Sequence, residues 1–397
     1  MKEPSLYINS CGLINALGST RKTVLENLIA GNTSGVVPWD IQVQDKTVYV
    51  GQISEPLPEV PARLAQFDCR NNQLILSALE QIDTEVEALK GRYASDRIAI
   101  VLGSSTSGIL EGENALEEKT KSGQFPAAFD YRQQEIGTLA IFLREYLGLT
   151  GLAYTVSTAC SSSAKVFANA RRLLNSDMCD AVIVGGSDSL CRLTLNGFSS
   201  LESVSAGRCQ PMSANRDGIN IGEAAALFIV TREPSEIALL GVGESSDAHH
   251  MSAPHPQGVG AIQAMRAALD EAGLASSEVS YINMHGTATP LNDAMESIAI
   301  EQVFGLETPV SSTKPLVGHT LGAAGATEVG FCWLLLSEEN PDGRLPPHIW
   351  DGMVDGKIPE INLVKSEENI AISSGTAFLS NSFAFGGNNA SVIIGRI

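Results

Sequence analysis

The sequence has little positive charge. Its 397 residues include 26 lysines and arginines against 45 aspartates and glutamates, which gives a formal net charge of −19. Proteins that bind nucleic acids present a basic surface to the phosphate backbone. So few cations along so acidic a chain exclude nucleic acid as an expected partner.

Cysteine is also sparse. The seven cysteines are odd in number and form no C-x-x-C pair, so their spacing favours neither a disulfide framework nor a zinc site. No apolar run approaches the length of a membrane span, and polar residues interrupt the N-terminal apolar positions. We therefore expect a cytoplasmic protein in a reducing compartment, with no membrane span.

Several catalytic signatures are missing as well. The chain has no Walker loop, no G-x-G-x-x-G after a strand, no H-E-x-x-H and no G-x-S-x-G. Two S-x-x-K matches, at Ser162 and Ser311, lack the S-D-N and K-T-G partners of the penicillin-recognising enzymes. No nucleotide or metal site is therefore predicted.

What the sequence does contain is a large apolar fraction, 44%, in alternating strand-like and helix-like segments. β-Branched runs predict ten strands, among them residues 5–8, 370–373 and 392–395, and helical spacing predicts helices such as residues 72–89. This alternation predicts an α/β fold.

Two stretches of the chain echo each other. A β run ends in small residues and feeds an apolar helix once around Cys160 and once at residues 310–314, which lead through His319 into residues 323–336. The echo predicts a duplicated fold whose halves pack face to face. The second half would then bring a functional group to the thiol of the first.

The chain is organised around residues 158–163 (TACSSS), where a predicted strand meets a predicted helix. Cys160 lies at this junction, and the free N–H groups and positive dipole end of a helix start favour a thiolate. The strand-turn-helix setting favours a nucleophile. The alternative is a small buried cysteine that only packs.

Two histidines and one glycine-rich segment lie in turns typical of active sites. His285 follows a predicted strand and opens a Gly-Thr-Ala-Thr-Pro turn, and His319 precedes a helix start made of small residues. Residues 381–387 (NSFAFGG) combine two phenylalanines with paired glycines that can turn a backbone amide toward a ligand. The alternatives are hydrogen-bonded structural histidines and a core phenylalanine pair.

These segments together resemble a known family. Residues 158–162 (TACSS), 285–290 (HGTATP), 314–319 (KPLVGH), 322–328 (GAAGATE) and 381–387 (NSFAFGG) are similar to the signature blocks of elongating, Cys-His-His type β-ketoacyl-acyl carrier protein synthases. Their order and spacing match across nearly the whole chain. The resemblance implies a thiolase fold, with duplicated halves in a five-layer αβαβα arrangement. We place the halves at residues 1–235, carrying the cysteine, and 236–397, carrying both histidines.

The resemblance also implies roles in catalysis. Cys160 would accept the acyl group, His285 and His319 would serve decarboxylation and condensation, and Lys314 and Glu328 would be supporting charges.

Further implied roles concern substrate binding. The backbone amides of Cys160 and Phe385 would form an oxyanion hole, and the Phe385 ring would gate the acyl and malonyl sites. Thr287 and Thr289 would hold the pantetheine arm, and Phe383 is placed with them among the substrate-binding residues.

The implied reaction joins malonyl-acyl carrier protein to an acyl group held on Cys160, with loss of carbon dioxide. Substrates would ride on the phosphopantetheine of acyl carrier protein, and no other cofactor would be needed. The protein would be a homodimer or a heterodimer with a synthase-like subunit. The alternative is a non-catalytic partner of the chain-length-factor type, but such partners generally lack the cysteine. A biosynthetic thiolase lacks its second C-terminal cysteine here, and a starter-type synthase would have asparagine in place of His319.

Departures from the family pattern concern the substrate. Residues 211–213 (PMS) stand where Pro-Phe-Asp is frequent, Asn292 where glycine is usual and Asn388 where threonine is usual. Residues 67–72 (FDCRNN) resemble synthases of aryl-polyene or polyketide clusters, so both fatty-acid and specialised pathways stay open. Thr106 aligns with a residue that lines the acyl pocket, and we expect it to limit chain length.

The net charge makes docking of an acidic carrier protein depend on a local basic patch. Arg63 and Arg70 flank the segment where family members present docking residues, so we expect them to contribute. The alternative is that they form ordinary ion pairs. The other concentrated cations are Arg132, Arg171, Arg172 and Arg208.

Overall fold

The fold is described from a computed structural model that covers residues 6–39 and 47–397. Its strands are β1 (Tyr7–Asn15), β2 (Val36–Pro38), β3 (Tyr49–Gly51), β4 (Ile98–Gly103), β5 (Ala153–Val156), β6 (Ala181–Asp188), β7 (Ile221–Gly222), β8 (Ala224–Thr231), β9 (Ile237–Ser246), β10 (Val279–Asn283), β11 (Val310–Ser311), β12 (Ala377–Ala384) and β13 (Asn388–Arg396). Its α-helices are α1 (Arg21–Ile29), α2 (Arg70–Glu80), α3 (Asp83–Arg92), α4 (Ile109–Ser122), α5 (Thr138–Leu147), α6 (Ser162–Asn175), α7 (Arg192–Ser200), α8 (Val259–Ala272), α9 (Pro290–Phe304), α10 (Lys314–Val317) and α11 (Ala324–Leu336).

Ten strands form two similar groups of five. In the first group, in the order β5-β4-β6-β8-β1, β4 runs parallel to β5 and β6, and β8 runs antiparallel to β6 and β1. In the second, in the order β11-β10-β12-β13-β9, β10 runs parallel to β11 and β12, and β13 runs antiparallel to β12 and β9. The groups meet where Tyr7 pairs with Ala238. The same order and directions in both groups confirm the predicted duplication.

The helices complete five layers. The apolar helices α6 and α11 pack against each other and contact strands of both groups, so they form the middle layer. Helices α2 and α5 cover the outer face of the first group, and α8 and α9 cover that of the second. A Cβ on Gly325 would lie 2.5 Å from the backbone nitrogen of Ala164, so glycine permits this close approach of α11 to α6. The predicted five-layer α/β arrangement is confirmed.

Two predicted elements differ from the structure. Residues 370–373 form no strand; they are partly or fully exposed, and Ile370 bonds the backbone oxygen of Gly343. The strand lies instead at β12. This segment contains two serines and an asparagine, so its sequence does not look like a buried strand, although every position in it is buried. The helix predicted at residues 72–89 is divided, because α2 ends at Glu80 and α3 begins at Asp83.

The boundary between the halves, predicted at residues 235 and 236, lies in the connection from β8 to β9 and stays a prediction. Within residues 6–39 and 47–397, no helix is both long and apolar enough to cross a bilayer.

Candidate active site

Cys160 lies in the short connection between β5 and α6. Ala159 before it has φ of 51°, in the left-handed region that non-glycine residues rarely adopt. The Ser162 hydroxyl fixes this turn, since it accepts from the backbone nitrogen of Thr158 at 2.8 Å and donates to the oxygen of Ala159 at 2.6 Å. Cys160 is 6% exposed, so the fold both constrains the thiol and buries it.

His285 follows β10 and is held through its backbone. The Glu296 carboxylate accepts from the backbone nitrogens of His285 and Gly286, at 2.8 and 2.7 Å. Three residues earlier on α9, Asp293 accepts from the backbone nitrogen of Ala288, whose φ is 65°. Both acids are fully buried, so their carboxyl groups hydrogen-bond the turn rather than water. These bonds fix the shape of the turn.

His319 comes from the second turn of the same half. Gly318 before it has φ of 72°, and the His319 backbone nitrogen donates to the oxygen of Asn220 at 2.6 Å. Its ring nitrogen Nε2 lies 2.9 Å from the Cys160 sulfur, within hydrogen-bonding distance. The fold therefore carries a histidine of the second half to the thiol of the first, as the echo in the sequence predicts.

The two histidines lie side by side at the thiol. The ring centroids of His285 and His319 are 5.3 Å apart and nearly perpendicular, at 85°. One ligand atom from each ring and the Cys160 sulfur all lie within 4.8 Å of one another. The three residues of the predicted Cys-His-His set are thus brought together, and all three are buried.

The thiol is not a resting thiolate. Burial raises the pKa of Cys160 to about 12, although Lys314 and the backbone N–H groups of Phe385 and Cys160 act in the opposite direction. The helix start alone predicts a thiolate, but desolvation outweighs it here. A nucleophilic role for this thiol would therefore need a base, and His319 Nε2, at hydrogen-bonding distance from the sulfur, is the candidate.

Both rings are neutral. Burial, followed by the charge of Lys314, holds the pKa of His285 and of His319 well below the usual range. Lys314 is 1% exposed and pairs with Glu328, whose pKa burial raises to about 7. The predicted supporting charges thus lie together, and Lys314 keeps the imidazoles uncharged.

A cavity of about 180 Å³ opens beside the thiol. Its lining includes Thr287, Thr289, Phe383 and Phe385 together with the predicted Cys-His-His set. The hydroxyls of Thr287 and Thr289 are 3.0 Å apart, so they offer paired hydrogen-bonding groups at the wall. All the predicted binding residues except Thr106 lie at this cavity.

Thr106 does not line it. Its side chain is fully buried, and its hydroxyl donates to Asp188 at 2.9 Å and accepts from the backbone nitrogen of Ser189. Asp188 also accepts from the hydroxyl of Ser104 at 2.7 Å. The prediction that Thr106 lines the acyl pocket finds no counterpart in this cavity, because Asp188 holds its polar end elsewhere.

Three buried acids around the site belong to none of the sequence motifs. Asp188, Asp293 and Glu296 are buried carboxylates that accept mainly backbone N–H groups around the site. Asn292, which departs from the family's glycine, lines the cavity and donates to both Asp293 and Glu296. Two acids three apart in the first turns of α9 are the only sequence signal that points to two of them.

The two predicted docking cations lie in different settings. Arg63 is exposed and donates to the backbone oxygens of Glu145 and Tyr146, at the end of α5. Arg70 instead forms a bidentate pair with Glu223 at 2.6 and 2.8 Å, and its side chain is 28% exposed. Glu223 is almost completely buried, so Arg70 is occupied inside the protein.

The same three residues also have the composition of a zinc site, which takes thiolate and imidazole ligands. Lys314, however, places a positive charge close enough to lower the pKa of both imidazoles and of the thiol. The same charge disfavours a cation. The geometry therefore favours a nucleophile flanked by neutral hydrogen-bond donors.

Known proteins share this architecture. A complex of the ketosynthase ApeO with its chain length factor ApeC from Xenorhabdus doucetiae contains a chain that is 46% identical, with a TM-score of 0.94 over 99% of this chain and 98% of that one. A β-ketoacyl synthase from Burkholderia phymatum is 25% identical, with a TM-score of 0.86 over 99% of this chain and all of that one. A 3-oxoacyl-[acyl-carrier-protein] synthase 2 from Staphylococcus aureus is 28% identical over 97% of this chain and 99% of its own length.

Family models cover most of the chain. Residues 8–235 match the N-terminal domain of β-ketoacyl synthase, and residues 237–349 match its C-terminal domain. The thiolase fold implied by the signature blocks in the sequence is therefore confirmed. The chain belongs to the β-ketoacyl synthase family of acyltransferases.

Proposed function

We propose that the chain condenses malonyl-acyl carrier protein with an acyl group held as a thioester on Cys160. The observation that carries the proposal is the 2.9 Å approach of His319 Nε2 to the Cys160 sulfur, with His285 beside them in a buried site. Such a set supports covalent catalysis by a thiol and stabilisation of an oxyanion by donors.

In the first step the acyl group moves to the enzyme. His319 Nε2 accepts the Cys160 proton while the sulfur attacks the thioester of the acyl carrier, and that proton leaves with the pantetheine thiolate. The backbone N–H groups of Cys160 and Phe385 face the sulfur and are our candidates for the oxyanion hole. The charge on the enzyme is the same before and after this step.

In the second step malonyl thioester loses carbon dioxide, and its electron pair passes to the thioester oxygen as an enolate. Neutral His285 and His319 each carry one N–H, because both pKa values are held low. For His319 this step requires the tautomer with the hydrogen on Nε2, so the ring exchanges its hydrogen from Nδ1 to Nε2 through solvent after the first step, and both rings then donate to that oxygen. The enolate carbon then attacks the acyl carbonyl, and the expelled Cys160 thiolate takes up one proton from solvent, which is the one proton that the overall condensation consumes. The product is a β-ketoacyl thioester two carbons longer.

No step requires a redox cofactor or a metal, since each is acyl transfer, decarboxylation or carbon–carbon bond formation. We propose acyl carrier protein as the source of both substrates and Thr287 and Thr289 as the residues that hold its pantetheine arm, because their hydroxyls line the cavity. All seven cysteines are free thiols, which supports our placement of the protein in the reducing cytoplasm.

We further propose a heterodimer with a chain-length-factor type subunit in a specialised pathway. Support comes from the 46% identity to a chain of a ketosynthase–chain length factor complex, against 28% to a 3-oxoacyl synthase 2. The alternative, that this chain is itself the non-catalytic subunit, conflicts with a cysteine placed against a histidine.

Intact mass spectrometry tests the proposal most directly. The protein, with its partner subunit when that is known, is incubated with acyl carrier protein thioesters of different chain types, and the acyl mass is located by peptide mapping. We expect at least one acyl group on Cys160. A folded protein that is loaded by none of them would favour the non-catalytic role.

Removal of Lys314 should shift the pH dependence of catalysis. The variant Lys314→Met with Glu328→Gln leaves no lone carboxylate, and it removes a charge that lowers the pKa of His285 and His319. Both pKa values then rise, so the rings become charged at a higher pH and the acid limb of the decarboxylation rate moves upward.

The measurement is kcat/KM for malonyl decarboxylation between about pH 5 and pH 8, the range in which imidazoles titrate. Lys22→Met, at a side chain that is 82% exposed, is the control and should leave the profile in place. An acid limb that stays at the wild-type pH in the double variant would contradict this role of Lys314.

Charge reversal at Arg63 should weaken carrier-protein docking. Arg63→Glu is expected to raise the KM for carrier-bound substrates several-fold while leaving the turnover of small pantetheine thioesters nearly unchanged. Lys22→Glu is the matched reversal at a remote exposed site. Equal losses on both substrate types would mean that Arg63 supports the fold, and no loss would place docking elsewhere.

Arg70 cannot be tested in the same way. Arg70→Glu would set a carboxylate against Glu223, which is 1% exposed, and breaking a buried pair costs about 3 kcal/mol or more. A loss of activity in that variant would report on folding. We therefore propose Arg63 as the docking cation of the two and Arg70 as a structural one.

A further inference from the structure

Lys165 lies five residues after Cys160, in the first turns of α6, and its amine faces the other half of the protein. The Nζ atom is 3.0 Å from the side-chain oxygen of Asn388, and the Lys165 side chain is only 13% exposed. Asn388 is the first residue of β13 and directly follows the turn Phe385–Gly387. The Lys165–Asn388 pair thus joins the helix behind the nucleophile to the start of the strand after that turn.

Few side chains of its own segment hold the turn Phe385–Gly387; the Asn389 amide donates to the Gly387 oxygen at 3.3 Å. Gly386 and Gly387 have φ of 81° and 75°, which favour glycine and leave no side chain to pack. From one side it is fixed by the loop at residues 247–251, through a bond of 2.7 Å from Gly386 nitrogen to Met251 oxygen and one of 2.8 Å from Asp247 nitrogen to Gly387 oxygen. On the side of α6, the fixed point is Asn388.

Two features of the turn bear on the chemistry. The backbone N–H of Phe385 acts on the Cys160 sulfur by lowering the pKa of the thiol, and the Phe385 ring lines the cavity, where its centroid is 5.5 Å from that of Phe198. A shift of this turn away from α6 would withdraw the N–H from the sulfur and open the cavity at the ring. Its position relative to Cys160 therefore matters for both steps of the reaction.

We propose that Lys165 is a positioning residue, which holds the turn Phe385–Gly387 against the nucleophile through Asn388. The inference rests on the proposed function in that the Phe385 N–H is taken as an oxyanion donor. Burial lowers the pKa of Lys165, while Glu244, 4.0 Å away, opposes that effect. An amine buried at such a cost requires a close acceptor, and Asn388 supplies it.

The same helix offers a matched control. One turn further along, Asn169 accepts a bond of 2.9 Å from the Tyr154 hydroxyl, which ties α6 to β5 instead of to the turn. Asn169→Ala removes this bond and a bond of 2.8 Å from the Asn169 amide to the Lys165 backbone oxygen, but no contact of the Lys165 amine. It leaves the Lys165–Asn388 pair in place.

The test uses Lys165→Met, Asn388→Ala, their double variant and Asn169→Ala in the full-length protein. The first readouts need no condensation activity: hydrogen exchange of the peptide that contains Phe385–Gly387, and the rate of alkylation of Cys160 by iodoacetamide. Each single variant should raise both by about tenfold, the double variant should match the singles, and Asn169→Ala should match wild type. Asn388→Asp, which keeps an acceptor for the amine, should restore the wild-type values.

The catalytic readout separates positioning from substrate affinity. We expect kcat for condensation to fall about tenfold in Lys165→Met with KM for the carrier substrate little changed. Wild-type exchange and alkylation in both single variants would overturn the inference, and so would equal effects in Asn169→Ala or additive effects in the double variant. A wild-type protein that fails to condense would count against the proposed function alone, because exchange and alkylation still report on the pair.

Discussion

Replacing Cys160 with alanine is expected to abolish acyl loading and to lower condensation by at least about a thousandfold. The reason is that the sulfur, 2.9 Å from His319 Nε2, is the atom that forms the acyl bond in the proposed first step. Loading is measured by the mass of the intact protein after incubation with acyl carrier protein thioesters. Condensation is measured by release of the β-ketoacyl product.

Two controls keep this result interpretable. The melting temperature of Cys160→Ala should remain close to that of the wild type, since the change removes one sulfur atom. Cys209→Ala, at a second buried cysteine that lies outside the cavity lining, should load normally. A purified, folded Cys160→Ala protein that still condensed near the wild-type rate would show that another group carries the acyl chain.

Decarboxylation tests whether the Cys160 thiol is needed for the loss of carbon dioxide. In the proposed mechanism carbon dioxide leaves while donors hold the thioester oxygen, and the sulfur takes no part in that step. Cys160→Gln is therefore expected to release carbon dioxide from malonyl carrier protein although it can no longer be loaded. Loss of both activities in this variant would tie the thiol to decarboxylation itself.

The clustering of Cys160, His285 and His319 was predictable because each member follows a local pattern. Cys160 lies where a strand passes into a helix, and His285 and His319 lie in turns that glycines fix. The identities of residues that are neighbours in the sequence determine such turns. The repeated pattern of strand, small residues and apolar helix then predicted that the two halves would face each other.

What the sequence could not predict depends on partners far apart along the chain. Asn388 departs from the family's threonine, and its partner Lys165 lies 223 positions away. Ser213 stands where aspartate is frequent, and its hydroxyl donates to Asp351, 138 positions away. Neither of these long-range hydrogen bonds can be recognised from the spacing of residues along the chain. Residue patterns alone therefore could not predict how these departures affect the choice of substrate.

The charge state and the ionic partner of a group also depend on residues that are distant in the sequence. A helix start next to Cys160 favours a thiolate, but the sign of the shift depends on desolvation, which only the packed protein sets. Arg63 and Arg70 lie close together in the sequence, but it is Arg70 that pairs with the buried Glu223. In both cases a property of the local sequence was outweighed by the depth at which the fold places the group.

Loss of either histidine is expected to lower malonyl decarboxylation by about a hundredfold or more, the size of effect that follows loss of one oxyanion donor. Both rings are buried and neutral, so each has a single N–H to offer and no solvent to replace it. The measurement is carbon dioxide release from malonyl carrier protein by His285→Ala and His319→Ala. Both variants should be compared at equal folded fraction.

Acyl loading should separate the two residues. His319 Nε2 is within 2.9 Å of the Cys160 sulfur and accepts its proton in the proposed first step, so His319→Ala should lose loading as well as decarboxylation. His285 contacts the His319 ring instead, and His285→Ala should still load Cys160. His319→Asn keeps an N–H donor but no basic nitrogen, and it should therefore regain part of the decarboxylation without regaining loading. Unchanged decarboxylation in both alanine variants would rule out the donor role of the histidines.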